Sequence, residues 1–225
     1  MAEIKQLSAD MIIRGLSREE IKDILKQKTT YKIKGDFYPL LDNARPRICI
    51  IGSRDIGVNV ISDIHRMVEV LSRREDKPII MSGLAVGTDT AAHKAALEMG
   101  LITYAVMAQG IDSVYPYKNR GLADEIIKAG GGLITAFDDG TPPMAVNFLE
   151  RTKQMVTMSD IIIIAAAREK GSSIVAAKYA ADLDIPVYAL PGQINDPHYK
   201  GSNKLIYTGD ASLLYDYEQL QNIHF

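Results

Sequence analysis

One cysteine, Cys49, stands in a chain of 225 residues, so no internal disulfide can form. That fits a reducing compartment. Neither charge is in surplus: 26 Lys and Arg face 28 Asp and Glu, a formal charge of −2. A strongly basic footprint, the usual mark of a nucleic-acid binder, is missing. Long apolar runs are missing too. The longest, Ile161 to Ala167, has the length of a buried strand and falls short of the ~18 to 20 residues that cross a bilayer. The first residues, MAEIKQLSAD, mix charge into their apolar positions, which argues against a secretory signal. Internal repeats and low-complexity tracts are absent, and 47% hydrophobic with 24% charged residues is near the globular average, which excludes disordered and collagen-like classes. The expectation is a cytoplasmic protein with no membrane segment.

What is present is enough for one full α/β domain and a short extension. Residues 1–45 form the expected extension, which packs on the body. Met11, Ile12, Leu16, Ile21, Ile24 and Leu25 recur at helical spacing over Ser8–Gln27, and Ser17 with Glu20 makes a capping-box start. A polar, turn-rich stretch from Thr29 to Pro46 follows. Over 46–225 the pattern is regular. Apolar runs at Ile48–Ile51, Pro78–Met81, Ile102–Val106, Gly132–Thr135, Ile161–Ala165 and Val187–Leu190 alternate with helix-period segments. Continuous apolar runs are what strands covered on both faces look like. The expected fold is α/β and Rossmann-like: a mostly parallel sheet, helices on both faces, and a short helical N-terminal extension.

Neutral total charge leaves room for a focused anion site, because the local field of a cleft decides phosphate binding. Ligands of open α/β sheets gather at the carboxyl ends of strands. Gly52-Ser53-Arg54 follows the first apolar run, offering close backbone approach, a helix amino end and a planar guanidinium. It is neither a dinucleotide fingerprint nor a Walker A loop, and an ordinary βα turn explains it equally well. Gly83 and Gly87 frame a second possible nest, with Asp89 and His93 four residues apart on the next helix. Those two read either as an acid–base pair or, with more weight, as a structural bond. Tyr115 and Tyr117 precede Asn119, a helix cap or a phosphate contact. Phe148, Arg151 and Lys153 open one helix, and Lys170-Gly171-Ser172 opens another in the manner of a phosphate clamp. Gly192, then Gly201-Ser202-Asn203, close the series. Five small-residue loops with scattered cations at one sheet edge describe a pocket for an anion.

The order of these motifs resembles the DNA-processing protein A family (DprA/Smf) over about residues 47–214. Gly-Ser-Arg, Ser-Gly-Leu-Ala-x-Gly-x-Asp-x-x-Ala-His, Gly-x-Asp-x-x-Tyr-Pro-x-x-Asn, Lys-Gly-Ser-Ser, Pro-Gly and Gly-Ser-Asn-x-Leu-Ile occur in sequence. The resemblance implies a single-stranded DNA-binding protein with no established catalytic activity, no cofactor and no metal. It implies protection of incoming DNA, loading of the RecA recombinase during natural transformation, and a homodimer. Arg54 and Lys170 match positions where the family contacts the DNA backbone. Gly52, Ser53, Gly83, Asn119, Ser172 and Asn203 match pocket-forming positions. The family's Phe-Pro-x-Arg-Asn-Arg stands here as Phe148-Leu149-Glu150-Arg151-Thr152-Lys153, its Ser-Glu after the fourth strand as Thr135-Ala136, and its late Gly-Ala as Gly209-Asp210. The expectation is a divergent, minimal member with an abbreviated N-terminal module and no winged-helix tail.

A nucleotide sensor or a nucleoside-monophosphate phosphoribohydrolase-like enzyme is the alternative reading, with Asp89 and His93 as its acid–base pair. Such enzymes need a Pro-Gly-Gly-x-Gly-Thr segment and a Glu, whereas this chain reads Pro191-Gly192-Gln193-Ile194-Asn195. A scaffold with a vestigial pocket is the third option.

Overall fold

The computed structural model describes residues 3–13 and 30–223. Six strands appear where the apolar runs placed them: β3 Arg47–Gly52, β4 Ile79–Ser82, β5 Thr103–Val106, β6 Gly132–Thr135, β7 Ile161–Ala166 and β8 Val187–Ala189. The helices between them are α3 Val58–Ser72, α4 Thr88–Glu98, α5 Arg120–Lys128, α6 Ala145–Thr157 and α7 Ser172–Ala181, followed by α8 Lys200–Thr208. Among the described residues these strands join in the order β6-β5-β4-β3-β7-β8, all parallel, with the short β9 Ser212–Leu213 beside β8. The fold is α/β and Rossmann-like.

The extension differs from its helical reading. Its described part holds two strands, β1 Ile4–Ser8 and β2 Thr30–Gly35, and two single turns, α1 Ala9–Ile12 and α2 Tyr38–Leu41. β1 pairs antiparallel with β2, and β2 antiparallel with β6, so the extension lengthens the main sheet. Most of the helix expected over Ser8–Gln27, with its capping box, lies outside the described residues. β2 carries no continuous apolar run because only one face is buried: Tyr31 and Ile33 are buried while Lys32 and Lys34 alternate with them. Such strands read as polar.

Period-two alternation inside the apolar runs builds the two cores. Ile48 and Ile50 of β3 join Ile161 and Ile163 of β7 under α3 and α4. Cys49 and Ile51, with Ile162 and Ile164, face Met155 of α6 and Ala176 and Ala177 of α7. Burial pushes the Cys49 thiol well above its ordinary range, so it behaves as a small core hydrophobe. Arg47, almost wholly buried, fastens extension to body: its guanidinium donates to the carbonyls of Ile12 and Leu40.

Chain direction across the sheet reverses at β3. From β3 the chain steps outward to β4, β5 and β6, and β7 then returns to the other side of β3. Crevices in open α/β sheets form at such a reversal.

Candidate nucleic-acid interface

Gly52-Ser53-Arg54 leaves β3 in a turn locked by its neighbours. Ser53 N–H donates to Ala166 O of β7 at 2.8 Å, and Ser53 O accepts from Thr88 N–H at 3.1 Å and Thr88 Oγ1 at 3.0 Å. A Cβ on Gly52 would stand 2.6 Å from Thr88 Oγ1, and one on Gly87, at φ +79°, 2.4 Å from Arg54 O. These two glycines are what allow the β3 and β4 loops to interlock. The Ser53 amide is spent inside the protein, so an incoming anion meets side chains and a helix end here.

That anion meets a hollow of about 400 Å³ lined by Gly52, Ser53, Arg54, Asp55, Phe148, Arg168, Lys170 and residues 171–173. Arg54 and Lys170 are exposed on facing loops. The amides of Ser172 and Ser173 at the start of α7 and the hydroxyl of Ser172 complete the wall, while Ile174 and Val175 N–H donate to Gly171 O. Arg54 lies over the Phe148 ring, with its guanidinium carbon 5.0 Å from the centroid, and Tyr115 meets Phe148 at 6.0 Å in a tilted pair. On the far side of this stack a narrow slot of about 60 Å³ runs between Gly83, Ala85, Val86, Gln109, Tyr115 and Pro116. Small backbone-lined spaces beside exposed rings suit flat, apolar-faced groups.

Several residues read from the sequence as contacts serve the scaffold. Arg151 is the clearest correction: it is 4% exposed and buried beneath Gly83, with Nη1 3.6 Å from Asp89 Oδ2. Helical spacing turns it inward, and a Cβ on Gly83 would stand 1.1 Å from Nη1. Burial works against the guanidinium charge while Asp89 supports it. Lys153 sits on the flank of α6, with Nζ 5.7 Å from the Tyr179 ring centroid, away from the hollow. Asn119 is buried, donating to Leu84 O at 2.8 Å and Thr90 Oγ1 at 2.9 Å, which holds Leu84 at φ +61°. Asn203 clamps Gly192 through both amide atoms at 3.0 Å.

Asp89 and His93 do not form an acid–base pair. Asp89 Oδ2 accepts from Ala85 N–H at 3.2 Å beside Arg151. His93 is fully buried, and its Nδ1 bonds Thr103 Oγ1 at 2.7 Å. Thr103 gives its own proton to Ile80 O, so Nδ1 of His93 is the protonated nitrogen. Desolvation, then the nearby Arg151, holds its pKa down at about 3. Among the described residues, no group of three or more His, Cys, Asp or Glu side chains gathers as metal ligands do.

Sequence reading assigned no contact role to two members of the wall, Asp55 and Arg168, or to the adjacent His198. Arg168 Nη2 donates to Asp55 Oδ2 at 2.9 Å, and His198 Nε2 lies 3.1 Å from that oxygen. Arg168 follows the most apolar strand, a position that marks it for attention. His198, 30 residues on, carries no local signal.

A family model described as DNA recombination-mediator protein A matches residues 19–224. Protein Smf of Escherichia coli is 34% identical over 146 residues, 65% of this chain and 39% of that protein. DNA processing protein DprA of Streptococcus pneumoniae is 31% identical over 166 residues, 73% of this chain and 57% of that protein. The X-ray structure of DprA from Streptococcus pneumoniae aligns with a TM-score of 0.82 and 26% identity, covering 99% of this chain and 75% of that one. A structure describing the single-stranded DNA binding mode of DNA processing protein A from Helicobacter pylori aligns at 0.81 over 98% of this chain and 95% of that one. Its 24% identity makes this a likeness of fold. This chain spans between 39% and 57% of the length of the first two relatives.

Proposed function

The chain belongs to the DNA recombination-mediator protein A family, and from that premise we propose that it binds single-stranded DNA along the carboxyl edge of its sheet. One observation carries this reading: Arg54, Arg168, Lys170 and the amino end of α7 surround a single hollow with Phe148 at its lip. Phosphates take the cations and first-turn amides, while the faces of Phe148 and Tyr115 take bases. Gly52, Ser53, Gly83, Asn119 and Asn203 shape the loops, and Ser172 adds a hydroxyl. The Helicobacter pylori protein, which has this fold, binds single-stranded DNA, and that supports the same use here.

Protection of incoming strands in natural transformation, RecA loading, self-association and a cytoplasmic location extend the proposal by family kinship. None of the helices described is long and apolar enough to cross a membrane. Binding is the activity proposed, without catalysis: the candidate acid and base have other partners, and His93 is neutral over the physiological range.

A gel-shift titration with oligo-dT, duplex DNA and mononucleotide competitors at two salt concentrations tests the reading. The single strand is expected to bind best, and Arg54→Ala with Lys170→Ala to weaken it and flatten its salt dependence by about one unit per lost phosphate contact. Unchanged binding by the double variant moves the strand elsewhere. Competition by free nucleotide at equal concentration favours a sensor.

A further inference from the structure

Four ionisable side chains meet on the flank of the hollow. Asp55 comes from the loop after β3, Arg168 from the loop after β7, and Asp196 and His198 from the loop after β8. Arg168 Nη2 lies 2.9 Å from Asp55 Oδ2 and 2.8 Å from His198 Nε2. The same Nε2 is 3.1 Å from that Asp55 oxygen. His198 is oriented by Asp196, whose Oδ1 lies 2.9 Å from Nδ1 and accepts the His198 amide at 2.8 Å.

These distances ask two incompatible things of one nitrogen. Toward Arg168, which only donates, Nε2 must accept. Toward Asp55, an acceptor, it must donate. Nδ1 faces a carboxylate and keeps its proton in both states, so Nε2 is the atom that titrates. With His198 neutral, Arg168 is held by two acceptors and its charge is turned inward. With His198 protonated, Nε2–H turns to Asp55, and Arg168 is left against a second cation.

We propose that Arg168 is a further phosphate-binding residue of the hollow, restrained by Asp55, and that a proton on His198 releases it to the strand. The proposal rests on the single-stranded DNA reading above. Arg168 already lines the hollow with Arg54 and Lys170, and its side chain is 47% exposed, so a change of rotamer carries it inward. Asp55 and Arg168 face the imidazole from neighbouring loops and Asp196 from its own. The two carboxylates outweigh the arginine and raise His198 above its ordinary 6.5. Protonation therefore takes hold at a higher pH than in a free imidazole, and the hollow gains cationic character as pH falls.

Fluorescence anisotropy of labelled oligo-dT, across a salt series at pH values stepped from about 6 to about 9, tests this. The wild type is expected to bind more tightly at the lowest pH than at the highest, with a log–log salt slope steeper by about one. His198→Gln and Arg168→Ala are expected to give the same slope at every pH. Asp55→Asn is expected to bind more tightly than the wild type at the highest pH. A wild-type slope that ignores pH, or a pH response that survives in His198→Gln, overturns the proposal. Absence of binding at every pH overturns the single-stranded DNA reading and this inference with it.

Discussion

Arg54 and Arg151 carry the same side chain and do opposite work, because one is exposed in the turn after β3 and the other is buried against Asp89. Arg151→Ala would leave the Asp89 carboxylate in the interior without its cation, a loss of roughly 3–5 kcal/mol in unfolding free energy by urea titration. Arg54→Ala is expected to cost about 0.5 kcal/mol or less in the same titration while weakening single-stranded DNA binding. Equal stability losses in the two variants would contradict the assignment. His93 supplies a pH signature. Its folded pKa of about 3 lies below its ordinary 6.5, so the unfolded chain binds the extra proton between those values. Its contribution to stability is thus intact above the unfolded value and is lost as pH falls toward 3, by at most roughly 1.4 kcal/mol per pH unit. Urea midpoints between neutral and mildly acidic pH should fall less steeply in His93→Gln than in the wild type.

At the scale of elements, the site depends on how α8 seats against the end of β7. Gly201 N–H donates to Ala167 O at 2.8 Å, and Ser202 Oγ accepts from Ala167 N–H at 2.9 Å. A Cβ on Gly201 would stand 2.3 Å from Arg168 O, a backbone atom that cannot step aside cheaply. Gly201→Ala is therefore expected to lose about 1–3 kcal/mol in urea unfolding, as overpacked positions do. It should also weaken DNA binding, since the displaced loop carries Arg168 and Lys170. Lys204→Ala, exposed on the same helix, should change neither.

For the molecule as a whole, the strands of the extension close one side of the sheet. Tyr31, Ile33, Ile12 and Leu40 belong to the same core as Ile51, Val106 and Ile134. A chain trimmed to 46–223 would bare the edge of β6, this apolar surface and the Arg47 guanidinium together. It is expected to melt lower than the full chain and to aggregate in sedimentation runs. A monomeric fragment with the parent melting temperature would show the extension to be dispensable.

The strand-helix order, the parallel sheet and the sheet edge bearing the hollow were legible in the sequence, because continuous apolar runs and helical periodicity are local properties. So were Arg54, Phe148 and Lys170 as members of that edge, each standing just after a strand or at a helix start. Tertiary structure alone decided that Arg151 meets Asp89 beneath Gly83 and that His93 and Asp89 have separate partners. It alone brought His198 to Asp55, a residue 143 positions away, at 3.1 Å. Periodicity reports which face a side chain takes, whereas ion pairs and buried hydrogen bonds are set by chain segments that only folding makes neighbours.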